Sequence, residues 1–225
     1  MAKRFAAGDA VTNIELREIP CTRDAIVEGY LDDAQRLVLA ALTRDLRCRT
    51  FFEFGTNRGR ATWTVARNNP ELALWTLDLP PEASLAETAF HLAPGDEPLV
   101  RDSSCGEAFG GTPEAERITQ LLGDSATFDF DPYAERIDLV YIDGAHTYEY
   151  VRSDTLNALR MLSPTGTIVW DDYATAPGIY EYVIELAPSL ERPVFHVLGT
   201  RMAVYSRQSF VERLPFDDYS SRPAV

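Results

Sequence analysis

The chain has little cysteine, few bases and no long apolar run, and each shortage removes a class of protein. Its three cysteines, Cys21, Cys48 and Cys105, are odd in number and form no CxxC spacing. That argues against a disulfide framework and a cysteine zinc site, and points to a reducing compartment. Lys and Arg total 21 against 35 Asp and Glu, for a net charge of −14. A surface so acidic repels phosphate, which counts against nucleic acid and anionic membranes as main partners. No stretch approaches ~18 consecutive apolar residues, so no membrane span is expected. The opening MAKRFAAGDAVTN places Lys3 and Arg4 before no apolar core, so it does not read as a signal peptide. A cytoplasmic protein is the expectation. HExxH, the P-loop lysine motif and the GxSxG elbow are also missing, which removes zinc proteases, P-loop NTPases and serine hydrolases.

What remains is a chain of 225 residues, 45% hydrophobic and 25% charged, enough for one domain with a real core. Residues 1–47 read as an N-terminal extension ending in a helix over 23–46. In that helix Ile26, Tyr30, Leu37 and Ala41 share a face, opposite Asp32, Asp33 and Arg36. The main domain is expected over 48–206. Thr50–Phe54 reads as a strand, 60–68 as a helix and 72–77 as a second strand, a βαβ unit. Residues 81–117 break the rhythm, with a helix expected over 82–92 and a flap over the rest. Strands return at 118–122, 137–142 and 167–170, with helices over 147–162 and 178–187. Segments 193–198 and 201–205, joined by Gly199-Thr200, predict an antiparallel hairpin. The fold class is therefore α/β: a Rossmann-like, mostly parallel sheet with one antiparallel strand from a C-terminal hairpin. The tail 207–225 is polar, and its Phe210, Phe216 and Tyr219 have two partners open to them. These are the body of the chain or a second copy in a homo-oligomer.

Each parallel strand ends in glycine or acid: Gly55, Asp78, Gly123-Asp124-Ser125, Asp143 and Asp171-Asp172. Carboxyl ends of strands line the ligand crevice of an open α/β sheet. Burying so many carboxylates without partners is costly, so a ligand with donors or positive charge is expected there. The turn Glu53-Phe-Gly55-Thr-Asn-Arg-Gly59 opens a helix, whose N-terminus draws negative groups. Asp78, at the end of the second strand, is placed to accept ribose hydroxyls. The two features suit a nucleoside cofactor, a nicotinamide dinucleotide or S-adenosylmethionine.

Five stretches carry a family resemblance. They are Glu53-Phe-Gly-Thr-Asn-Arg-Gly59, Leu77-Asp78, Gly123-Asp-Ser125, Asp138-Leu-Val-Tyr-Ile-Asp-Gly-Ala-His-Thr-Tyr-Glu149 and Gly166-Thr-Ile-Val-Trp-Asp-Asp172. In these the chain resembles class I S-adenosylmethionine-dependent methyltransferases, specifically the small-molecule O-methyltransferase-like branch called methyltransferase family 24. The family fold has seven strands, the seventh antiparallel, which matches the terminal hairpin. By this resemblance Glu53, Gly55 and Gly59 would hold the methionine moiety, with Thr56 of the same turn also against the cofactor. Asp78 would bind the ribose, Asp124 and Ser125 the adenine, and Asp143 would sit beside the methyl group. The expected activity is methyl transfer to a hydroxyl of a small-molecule acceptor. A family member that binds S-adenosylmethionine or S-adenosylhomocysteine without methylating anything, for instance as a partner subunit, is the rival reading.

The acids Asp143, Asp171 and Asp172 resemble the metal set of several related O-methyltransferases. Strand ends lie about 4.8 Å apart, so three carboxylates there repel unless a cation sits among them. All-oxygen ligation suits Mg²⁺, Ca²⁺ or Mn²⁺. Alternatively, one acid caps the next helix or binds a substrate amine. His146 is a candidate general base, or a residue that supports the site from behind. Some relatives carry an acid just after Asp-Gly; here that position is Ala145, which draws attention to His146. His91 and His196 read as flap surface and strand packing; Trp63, Trp75 and Trp170 read as core aromatics.

Overall fold

The computed structural model describes residues 33–101 and 104–209. The expectations for 1–32, including the start of the first helix, and for Phe210, Phe216 and Tyr219 fall outside them. In chain order the elements are α1 (Asp33–Asp45), β1 (Thr50–Phe54), α2 (Arg60–Asn68), β2 (Ala73–Asp78), α3 (Glu97–Val100), β3 (Ile118–Leu122), β4 (Ile137–Ile142), α4 (Tyr148–Met161), β5 (Leu162–Trp170), α5 (Pro177–Leu186), β6 (Phe195–His196) and β7 (Ala203–Ser206).

The seven strands form one sheet in the order β3-β2-β1-β4-β5-β7-β6. Pairs from β3 through β5 are parallel, and β7 runs antiparallel to both neighbours. Successive residues of a strand point to opposite faces, and the sequence uses that alternation. Phe52, Phe54, Val140, Ile142, Ile168 and Trp170 join one core cluster, with Val151, Met161, Tyr182 and Val183 of α4 and α5. Phe51, Leu74, Leu139, Tyr141 and Val169 join the other, with Leu39, Leu42 and Val65 of α1 and α2. The sheet is therefore buried on both faces, as a parallel sheet with crossover helices requires. Trp170 is fully buried and its indole N–H donates to Thr155 Oγ1 at 2.9 Å, so it is core.

Register carries the fold to the site. Phe54 pairs with Leu77 and with Ile142, and Ile142 pairs with Trp170. The residues that follow, Gly55, Asp78, Asp143 and Asp171, consequently emerge side by side at one edge of the sheet.

Three expectations are corrected. Residues 82–92 form turns instead of a helix, and the segment's α-helix is the single turn of α3. The stretch is mostly exposed, and a short helix with no apolar face to bury lacks its main support. The hairpin turn is longer than Gly199-Thr200. Val197 N–H donates to the Met202 carbonyl at 2.9 Å, and Thr200 N–H to that of Val197 at 3.0 Å. Arg201, expected in a strand, belongs to this turn. Arg36, expected on the polar face of the first helix, is 1% exposed. The buried face of α1 is wider than the pattern indicates because the helix also packs on α2.

Candidate active site

The tight turn after β1 is the floor of the site. Gly55 has φ +89, and a Cβ there would lie 2.1 Å from the Asp143 carbonyl oxygen. Gly55 N–H donates to Leu77 O at 2.8 Å and Asp143 N–H to Phe54 O at 2.9 Å, so β1 abuts both neighbours. Only glycine tolerates that approach with that dihedral. A Cβ on Gly59, which also has positive φ, would lie 2.4 Å from the Phe109 ring.

Asp78 reaches from β2 across this turn. Its Oδ2 accepts from Asn57 N–H at 2.7 Å and its Oδ1 from Leu79 N–H at 2.8 Å. Burial raises its pKa, and these backbone donors pull against that. Glu53 and Thr56 lie behind the turn. Glu53 Oε2 accepts from Thr62 Oγ1 and, at 2.8 Å, from Thr76 Oγ1, which is 2.7 Å from Thr56 Oγ1. Burial pushes the Glu53 carboxyl up to about 8.

A cavity of about 140 Å³ opens above the strand ends. Among its lining residues are Gly55, Asp78, Ser125, Asp143, Asp154 and His146, with Leu92, Asp96, Leu99 and Val100 as a roof from the segment after β2. Of the residues singled out in the sequence, Gly55, Asp78, Ser125, Asp143, His146, Asp171 and Asp172 meet on this wall. Glu53, Thr56, Gly59 and Asp124 are not on it. The first three support the turn from behind. Asp124 fastens loops: its Oδ1 accepts from Ala126 N–H at 2.9 Å and Tyr150 O–H at 3.1 Å, and its Oδ2 from Ala89 N–H at 2.8 Å.

The acidic cluster is held by protein donors. Asp171 Oδ1 accepts from the Gln35 amide and, at 2.8 Å, from Asp172 N–H; its Oδ2 accepts from Tyr141 O–H at 2.8 Å. Arg201 Nη1 lies 3.1 Å from Asp172 Oδ1, which also accepts from Thr175 Oγ1 at 2.8 Å. His146 bridges two acids, with Nε2 3.0 Å from Asp172 Oδ2 and Nδ1 2.5 Å from Asp96 Oδ1. Burial opposes charge on the imidazole, but Asp172 and Asp96 outweigh it and raise its pKa to about 10. Burial also pushes Asp172 up, yet His146 and Arg201 bring it below its ordinary value. Asp143 is raised well above the carboxylate range by burial and by Asp171, Asp172 and Glu53, with His146 pulling the other way.

The expected divalent cation does not fit this arrangement. Both oxygens of Asp171 and of Asp172 already accept from protein donors, and Arg201 and imidazolium His146 relieve the repulsion that called for a metal. Among the described residues no group of three or more His, Cys, Asp or Glu is disposed to hold an ion.

An adenosyl cofactor fits better. The bare Gly55 backbone offers close approach, Asp78 offers acceptors for hydroxyls, and Asp143 offers a carboxyl whose ionised form a sulfonium would favour. One buried oxygen on the wall, Asp154 Oδ1, has no hydrogen-bond partner among the described residues. Arg201, which reaches the site from a hairpin turn, has no local signal that marks it as a site residue. Asp96 had a signal: Asp-Glu-Pro marks a helix start. Asp154 had one too, as a carboxylate on the buried face of α4.

Comparison with known proteins agrees with the geometry. A family model described as a methyltransferase domain, of methyltransferase family 24, matches residues 52–173, more than half the chain. The chain belongs to that methyltransferase-domain family. Among solved structures it is similar to the O-methyltransferase NovP (TM-score 0.61, 16% identity, 92% of this chain and 96% of that one). It is also similar to the O-methyltransferase TomG of Streptomyces achromogenes, solved with S-adenosylmethionine (0.58, 18%, 90% and 96%). An O-methyltransferase from Bacillus cereus, solved with S-adenosylhomocysteine, is a third (0.59, 15%, 90% and 98%). At these identities the likeness is one of fold. An uncharacterised Sinorhizobium fredii protein, y4gI, is 33% identical over 90 residues, 37% of this chain and 10% of that protein. The chain thus matches about a tenth of that curated relative's length.

Proposed function

We propose that this cavity binds S-adenosylmethionine and directs its methyl group to a hydroxyl oxygen of a small molecule. The observation that carries the reading is the convergence of Gly55, Asp78, Ser125 and Asp143, from the ends of four adjacent parallel strands, on one wall. When bound, the cofactor supplies an electrophilic methyl on a positively charged sulfonium. Asp78 would accept from the ribose hydroxyls on the second lone pairs of its oxygens, keeping its backbone donors Asn57 and Leu79. Burial favours the protonated form of Asp143; the sulfonium's positive charge would favour the ionised form, which is the one able to accept a proton.

His146 has another part. An imidazolium with a carboxylate at each nitrogen holds a proton and does not take one. It fixes Asp172 on the wall and Asp96 in the roof, and so keeps water out. The acceptor's hydroxyl proton passes to Asp143. Alignment is the largest contribution, because placing two reactants correctly is worth about 7 kcal/mol or more.

The test is calorimetry with S-adenosylhomocysteine, followed by transfer of labelled methyl across sugar, phenol and polyketide hydroxyls. Binding at micromolar or better affinity is expected, with loss of ~100-fold or more in Asp78→Ala, which removes the ribose acceptor. No binding by the native protein would end the proposal. Binding without transfer to any hydroxyl acceptor would favour the non-catalytic reading.

A further inference from the structure

The resemblance assigns the adenine to Asp124 and Ser125, but both oxygens of Asp124 are engaged in fastening loops and the residue is not on the cavity wall. Another carboxylate is on it. Asp154, on α4, is 1% exposed and lines the cavity, and its Oδ1 has no partner among the described residues. The Ser125 side chain hydrogen-bonds to the same carboxyl. Gly144 lies against it: a Cβ there would be 3.5 Å from Asp154 Oδ2. Ser125, Gly144 and Asp154 therefore bound one corner of the cavity.

A buried oxygen left without a donor is costly, and it becomes favourable once a ligand brings the donor. We propose that Asp154 reads the 6-amino edge of the cofactor's adenine, accepting its N–H at Oδ1 while Ser125 holds the carboxyl in place. This rests on the adenosyl cofactor proposed above and adds the residue that selects its base. A 6-oxo purine would present a carbonyl instead, and two acceptors would face each other in a dry corner. Sites built to hydrogen-bond a particular group discriminate strongly for this reason.

The experiment compares S-adenosylhomocysteine with S-inosylhomocysteine, its 6-oxo counterpart, by calorimetry on the native protein and on Asp154→Asn. The native protein is expected to bind the 6-oxo compound at least about tenfold more weakly. In Asp154→Asn the amide can donate to the 6-oxo group, so the preference should shrink to within a few-fold or reverse. Equal affinity of the native protein for the two compounds overturns the assignment, and that arm needs no variant to fold. A variant that weakens both ligands but keeps the preference also overturns it, leaving Asp154 as a support for Ser125. If the native protein binds neither compound, the failure belongs to the cofactor reading itself.

Discussion

At the scale of single residues the site depends on very close contacts. Gly55→Ala forces a Cβ against the Asp143 carbonyl at a φ that L residues avoid. The expected cost is about 2–4 kcal/mol, read as a lower denaturation midpoint, with cofactor affinity falling too. Glu53 carries a pH signature. Its carboxyl titrates near 4.5 when unfolded and near 8 when folded, raised chiefly by burial. The folded state therefore keeps a proton that the unfolded state has released. Stability falls as pH rises through that window and levels off above about 8. Glu53→Gln should flatten this part of the profile, measured as Tm against pH from 5 to 9. The acidic cluster gives a third outcome. Because its oxygens are committed to Arg201, His146, Tyr141 and Gln35, methyl transfer should survive exhaustive chelation, and Arg201→Ala should lower it sharply. Loss of activity on chelation, restored by Mg²⁺, would show that the carboxylates rearrange around an ion. The strand-end acids could be named from sequence because strand ends are recognisable. Their counter-charges could not, since Arg201 and Gln35 approach from distant segments and leave no local pattern.

At the scale of elements, legibility followed burial. The strands β1 to β4 are readable as short runs rich in apolar and β-prone residues, and the helices α2, α4 and α5 because each turns its apolar residues to one core face. β5 begins earlier than its apolar run, at Leu162, and crosses Pro164 and Gly166 by a register shift against β4. Such an irregular start has no sequence period to reveal it. The stretch 82–92 differs for the opposite reason: its composition favours helix, but apart from Phe90 against Tyr150 it buries little. What organises that segment is polar contact at a distance. Asp96 Oδ2 accepts from His146 N–H at 3.0 Å, and Thr147 Oγ1 donates to His91 O at 3.1 Å. Asp96→Ala should therefore speed amide hydrogen exchange across 89–101 by about tenfold or more while leaving the central strands protected. It should also lower the His146 pKa, followed by NMR titration of the ring, since one of its two carboxylates is gone.

At the scale of the whole molecule, the order β3-β2-β1-β4-β5-β7-β6 puts β1 in contact with strands from both halves of the chain. That is the switch point where open α/β sheets bind ligands, and here it places the glycine turn beside Asp78 and Asp143. Ligand binding should consequently stabilise the whole domain. S-adenosylhomocysteine at 100 times its dissociation constant should add about 2.7 kcal/mol, while NAD should leave Tm unchanged. A Tm raised by NAD would contradict the site's assignment. The −14 charge is a property of the same scale, and no helix among the described residues is long and apolar enough to cross a membrane.

The roof of the cavity comes from one uninterrupted stretch, Leu92 to Val100, whereas its floor is assembled from the tips of many strands. Altering the floor disturbs several hydrogen-bonded neighbours at once. Exchanging the roof disturbs one connection between two strands. Asp96, through His146, ties that stretch to the acids of the floor, so a roof exchanged by evolution or by design that keeps Asp96 is expected to reshape the cavity's mouth while its strand-tip floor stays as it is.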